Sequence, residues 1–175
     1  DWVPSLGLGY IVGVDGVSLV MLLLTALVSL GAIGVSAGVE DRPREFFINV
    51  LLIGAGAFGA FISLDLFFLY IFHELALIPT FLLIGLWGQH ANREKIATKL
   101  TIFLSLGSLL LLAGILGFYA ALPVDQRTFD LLAIKEMGTE LPVYGEYYRI
   151  LIFGLVFLGF GVLVGLFPFY TWAPQ

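Results

Sequence analysis

The chain has 175 residues, 60% hydrophobic and 12% charged, with a formal net charge of −5 and a mean hydropathy of +1.05. Soluble domains average about 25% charged residues, so the composition excludes an ordinary water-soluble domain and indicates an integral membrane protein. The acidic balance argues against nucleic-acid binding, and the absence of cysteine excludes a disulfide framework, a thiolate nucleophile and a cysteine-ligated iron–sulfur cluster.

Charges divide the sequence into apolar stretches long enough to cross a bilayer, which takes about 20 residues. The expected fold is a single all-α transmembrane bundle over residues 1–175, with five helices at 14–38, 46–64, 65–87, 93–121 and 147–167. The last helix is read as truncated and the chain, from Asp1 to Gln175, as a slice of a longer protein.

The first span opens at Gly13-Val14-Asp15-Gly16-Val17-Ser18-Leu19, where Asp15 reads as an acid favoured by the helix dipole. Glu40-Asp41-Arg42-Pro43-Arg44-Glu45 joins it to the second span, which contains Gly54, Gly56 and Gly59. Small residues let membrane helices approach closely, and no strand precedes these glycines to make a phosphate loop. Asp65 alone separates the second and third spans, which predicts a tight helical hairpin.

The third span holds the most informative residue. Glu74 interrupts Leu66-Phe67-Phe68-Leu69-Tyr70-Ile71-Phe72-His73-Glu74-Leu75-Ala76-Leu77-Ile78-Pro79. A carboxylate at membrane depth costs roughly 2.5–3.5 kcal/mol on insertion scales, so such residues face a protein interior or a water path, and ion transport is the first hypothesis. The alternative is a protonated acid bonded to a carbonyl of a neighbouring helix. Pro79 adds a second irregularity, because it lacks an amide donor and frees a carbonyl. His73 points about 100° away from Glu74 around the helix and reads first as a bonded core residue, second as a metal ligand or proton relay. Lys99, about 10 Å inside the start of the fourth span, is either a basic partner of Glu74 or a snorkelling surface lysine.

An extramembrane loop is expected over 125–149, with Asp125, Arg127, Asp130, Lys135, Glu136, Glu140, Glu146 and Arg149. Alternation of spans places Arg42, Arg44, Arg93 and Lys95 together on the other side. Basic residues in short connections weigh most in orientation, which predicts that the Arg42 and Arg93 connections are cytoplasmic, or matrix or stromal in an organelle. The membrane would be a bacterial inner membrane or an energy-conserving organelle membrane.

Three colinear blocks carry a resemblance. The first is Gly13 to Leu19 with Leu23-Leu24-Thr25. The second runs Asp65-Leu66-Phe67, Phe72-His73-Glu74-Leu75, Ile78-Pro79 and Gly85-Leu86-Trp87-Gly88. The third is Ala97-Thr98-Lys99-Leu100 running into Gly107-Ser108, and a weaker fourth is Phe167-Pro168-Phe169-Tyr170-Thr171-Trp172-Ala173-Pro174. Together they resemble the antiporter-like proton-translocating subunits of respiratory complex I. The spacing of Glu74 to Ile78-Pro79 is closest to the subunit M family of bacterial NADH-quinone oxidoreductase.

The resemblance implies a complete protein with inverted repeats of about five helices each, this chain covering most of the first. It also implies that Glu74 matches the family's glutamate on the fifth helix and Lys99 its lysine on the sixth. By the same resemblance, protons are translocated at a distance from quinone reduction, the partners are other membrane subunits of a complex I-like assembly, and no quinone, NADH, flavin, cluster or metal binds here. Departures accompany it. Leu163 stands where a seventh-helix lysine belongs, Gly165 for a proline, Tyr170 for a histidine and Gln175 for a common aspartate. Lys99 then takes over as the cation, the pump is divergent, or this half is structural. Competing readings are a multisubunit cation/proton antiporter, a hydrogenase membrane arm, and a non-pumping spacer.

Overall fold

A computed structural model describes residues 2–3, 6–137 and 145–172. Glu140, Ala173, Pro174 and Gln175, which carry parts of the sequence expectations, lie outside the described residues. Among the described residues the chain is almost entirely helical, with isolated bridges in place of strands. Five helices are long and apolar enough to cross a membrane.

Helix α1 spans Gly16–Val35 and runs into a 3-10 turn at Ser36–Gly38. Its cap is Asp15, whose carboxylate accepts the Ser18 amide at 2.7 Å and satisfies one of the donors every helix start leaves open. Helix α2 spans Pro43–Ile62; proline suits a first turn because its φ is preset and no donor is wasted. Helix α3, Leu66–Trp87, is capped by Asp65, which accepts the amides of Phe67 and Phe68 at 2.9 and 3.1 Å. Helix α4 spans Arg93–Ala121, α5 is a short turn at Leu131–Glu136, and α6 spans Glu146–Leu163.

The extramembrane stretch expected at 125–149 therefore contains helix α5, and α6 begins inside it at Glu146. The last helix also stops short of 167. Gly165 takes φ +70, the left-handed conformation in which helices commonly end, and Pro168 cannot continue one. The chain closes into a 3-10 turn at Phe169–Trp172, held by the Trp172 indole donating to the Val162 carbonyl at 3.2 Å.

The long helices pack in sequence, α1 on α2, α2 on α3, α3 on α4 and α4 on α6. Two close approaches depend on glycine. A Cβ on Gly56 of α2 would lie 2.7 Å from the Phe72 carbonyl of α3, and one on Gly159 of α6 would lie 2.7 Å from the Leu111 amide of α4.

At the start of α3, the Ser63–Asp65 linker lies between two other segments. Leu64 donates to Ile11, Leu66 to Phe129, and Leu131 to Leu64. Asp65 is fully buried and also accepts the Gly9 amide at 3.3 Å. Beneath this layer sits an apolar cluster of Leu8, Leu111, Ile115 and Phe129, with Tyr119 stacked on Phe129 at 4.3 Å. At the opposite end of α3, Trp87 donates to the Asp41 carbonyl at 2.8 Å, tying the α1–α2 connection to the α3–α4 end of the bundle.

Candidate functional site

Glu74 lies about 12 Å from the first residue of α3 and about 20 Å from Trp87 at 1.5 Å per residue. Its side chain is half-buried, with 35% of its surface exposed, and it meets the next helix. The Ser108 hydroxyl of α4 hydrogen-bonds Glu74 Oε1, and Ser108 is buried, with 2% of its surface exposed. Ser108, Leu111 and Ile115 lie on one stripe of α4 by their helical spacing, so the serine is the polar step of an otherwise apolar face. The stripe is wedged in place because its neighbour Gly107 lets Val162 of α6 come close behind it.

Tyr70 precedes Glu74 by four residues and shares its face of α3. Its phenol oxygen lies 3.2 Å from Ser108 Oγ, and its ring packs against the apolar cluster. Tyr70, Ser108 and Glu74 thus form a continuous chain of oxygen atoms. Neither Ser108 nor Tyr70 was singled out as a site residue by sequence, although the spacing of Tyr70 to Glu74 was a usable signal.

His73 places Nδ1 3.9 Å from Glu74 Oε1. That nitrogen is buried and has no hydrogen-bond partner, a costly arrangement for a polar atom. The imidazole lines a cavity of about 390 Å³ with Gly56, Leu77, Thr80, Leu104 and Phe160. Pro79 sits close by in an unbroken α3. The Thr80 hydroxyl donates to the Ala76 carbonyl at 2.7 Å, next to the Leu75 carbonyl that proline leaves without its helical donor.

Lys99 is elsewhere. It precedes Ser108 by nine residues on α4, which is about 14 Å along the axis and about 180° around it. Its ammonium donates to the Thr171 carbonyl at 2.7 Å, beside a groove of about 510 Å³ lined by Glu94, Lys95, Thr98 and Phe103. Among the described residues Arg42 forms an ion pair with Glu45; His73 lies beside Glu74 as its sequence neighbour, without a hydrogen bond between them, and Lys99 is apart. Leu163, at the position where the resemblance expects lysine, ends α6 and packs against the apolar cluster. Asp15 is a helix cap distant from this site, its carboxyl held below the usual range by the Ser18 amide.

Related proteins match nearly the whole chain. The chain is 34% identical over 177 residues to NAD(P)H-quinone oxidoreductase chain 4-2 of Synechocystis sp., covering 100% of this chain and 30% of that protein. It is 34% identical over 174 residues to chain 4 1 of Nostoc sp., covering 99% and 31%. The chain therefore spans about 30% of the length of the curated relatives it matches. Among solved structures, it matches a chain of respiratory complex I from Thermus thermophilus with bound aureothin, with a TM-score of 0.71 and 27% identity over 95% of this chain and 35% of that one. A family model described as NADH:quinone oxidoreductase/Mrp antiporter, TM, matches residues 63–175, the region that carries Glu74 and every side chain bonded to it. This integral membrane chain belongs to the NADH:quinone oxidoreductase/Mrp antiporter transmembrane family.

Proposed function

We propose that this chain carries a proton-transfer site of a membrane translocase, within a complex I-like assembly whose other subunits reduce quinone. Glu74 is the group that gains and loses the proton. His73 is the nearest base. Lys99 acts as a remote cation from the other side of α4, where it is bonded to the Thr171 carbonyl. No redox chemistry takes place on this chain, and its partners are neighbouring membrane subunits and lipid. The connections bearing Arg42, Arg44, Arg93 and Lys95 face the cytoplasm or its organellar equivalent.

One observation carries the reading. The acid of α3 is bonded to a buried serine of the next helix, with a histidine nitrogen 3.9 Å away that lacks a partner of its own. Ionisable groups kept at membrane depth mark ion pathways, and this one is held by groups that can exchange hydrogens with it. The relatives' names, which specify quinone oxidoreductases, support coupling to quinone.

The family description also names Mrp antiporters, which supports cation/proton exchange as the second reading. Inverted membrane vesicles containing the whole assembly separate the two. Under the first reading, electron donation acidifies the lumen, and Glu74→Gln lowers this about 100-fold with the complex still assembled. A proton flux that instead requires a sodium gradient selects exchange. Intact acidification in Glu74→Gln reduces the chain to a spacer.

A further inference from the structure

Five hydroxyl groups in or capping these helices bond their own backbone. Thr25, Ser63, Thr80, Thr98 and Thr101 each donate to the carbonyl four residues earlier, the usual local outlet for serine and threonine in a helix. Ser108 does not. It is buried, and its hydroxyl contacts are both with α3, to Glu74 and to Tyr70.

A serine has one hydrogen to donate and lone pairs to accept with, and so has a tyrosine. Ser108 therefore cannot donate to both neighbours at once. With Glu74 ionised, Ser108 donates to the carboxylate and Tyr70 donates to Ser108. With Glu74 protonated, the acid donates to Ser108, whose hydrogen turns to Tyr70. The hydroxyls gain and lose no protons; they rotate. His73 is the other titratable group at the carboxyl, on its own helix, and from α4 the acid meets Ser108.

We propose that Ser108 is the positioning residue for Glu74 and that, with Tyr70, it forms a reversible hydroxyl chain. That chain keeps the acid bonded to α4 in both protonation states. An acid bonded in one state only would swing toward lipid or toward the His73 cavity at each cycle. The chain removes that motion and holds the carboxyl at a fixed distance from His73. This inference rests on the reading of Glu74 as a proton-carrying site.

The test is turnover-induced infrared difference spectroscopy on the whole assembly in its membrane, with Glu74→Gln identifying the carbonyl stretch of the protonated acid. Ser108→Ala is expected to move that band to higher wavenumber and to lower coupled proton transport about tenfold, in line with a hydrogen bond to a charged group. Ser108→Thr restores both, and Tyr70→Phe moves the band by a smaller amount. Should Ser108→Ala fail to assemble, the Tyr70→Phe shift decides. A Glu74 band unmoved by Ser108→Ala overturns the positioning role, and one unmoved by Tyr70→Phe overturns the chain. Absence of any band assigned to Glu74 takes down the proton-site reading and the inference with it.

Discussion

Two ionisable side chains, Glu74 and Lys99, are each tied to a neighbouring element, yet by different chemistry. Glu74 meets a hydroxyl, a group that donates or accepts as required. Lys99 meets the Thr171 carbonyl, an acceptor with no hydrogen to give back. Under the proposed function, the first contact serves a group that changes protonation. The second anchors the 3-10 turn at Phe169–Trp172. The proposed proton exchange thus falls at the α3–α4 contact, while the lysine fixes the far side of α4 to the turn.

Removing the acid is the strongest way to break that contrast. Glu74→Gln keeps the size and a hydrogen bond to Ser108 but cannot carry the proton, and coupled transport is expected to fall about 100-fold, the scale of a lost acid–base group. Vesicle acidification normalised to assembled complex measures it. His73→Phe removes the base at 3.9 Å and leaves the bond from Glu74 to Ser108. Its loss is smaller, about tenfold in the same assay, below the full range for a general base.

Lys99 sharpens the other half of the comparison. Lys99→Gln removes the charge but keeps a donor for Thr171, so it is expected to lower transport by less than His73→Phe does in the same assay. Lys99→Met loses the anchor as well. It is expected to fall further and to expose the 145–172 region to faster hydrogen exchange, whereas equal rates in the two variants would remove the anchoring role.

The smallest effect belongs to Asp15. Its carboxyl is held below its ordinary value of 3.8 by the Ser18 amide, so the carboxylate's contribution to α1 is present above that pH and lost as pH falls through its lowered value. Asp15→Ala should leave transport unchanged. It should lower thermal stability slightly near neutral pH, with the difference from the parent closing in acid.

Much of this was legible in the sequence because membranes make charges expensive. Asp15, Asp65 and Arg93 mark helix starts, and Glu74 stands out against its apolar neighbours. The end of α6 was not legible, since Val164 to Phe167 are as apolar as the helix before them and the break is set by the backbone of Gly165. Ser108 was hidden for a different reason. A serine inside a helix ordinarily spends its hydrogen on its own backbone, and only the packing of α4 on α3 reveals that this one does otherwise. The Lys99 anchor was equally invisible, because its acceptor is a main-chain carbonyl in an irregular turn 72 residues away.

The account stands on Glu74 taking up and releasing a proton inside the protein. Infrared difference spectra collected during turnover of the intact assembly address this directly. A protonated-carboxyl band that appears in the parent and vanishes in Glu74→Gln is the predicted result. Identical spectra in the two proteins would contradict it.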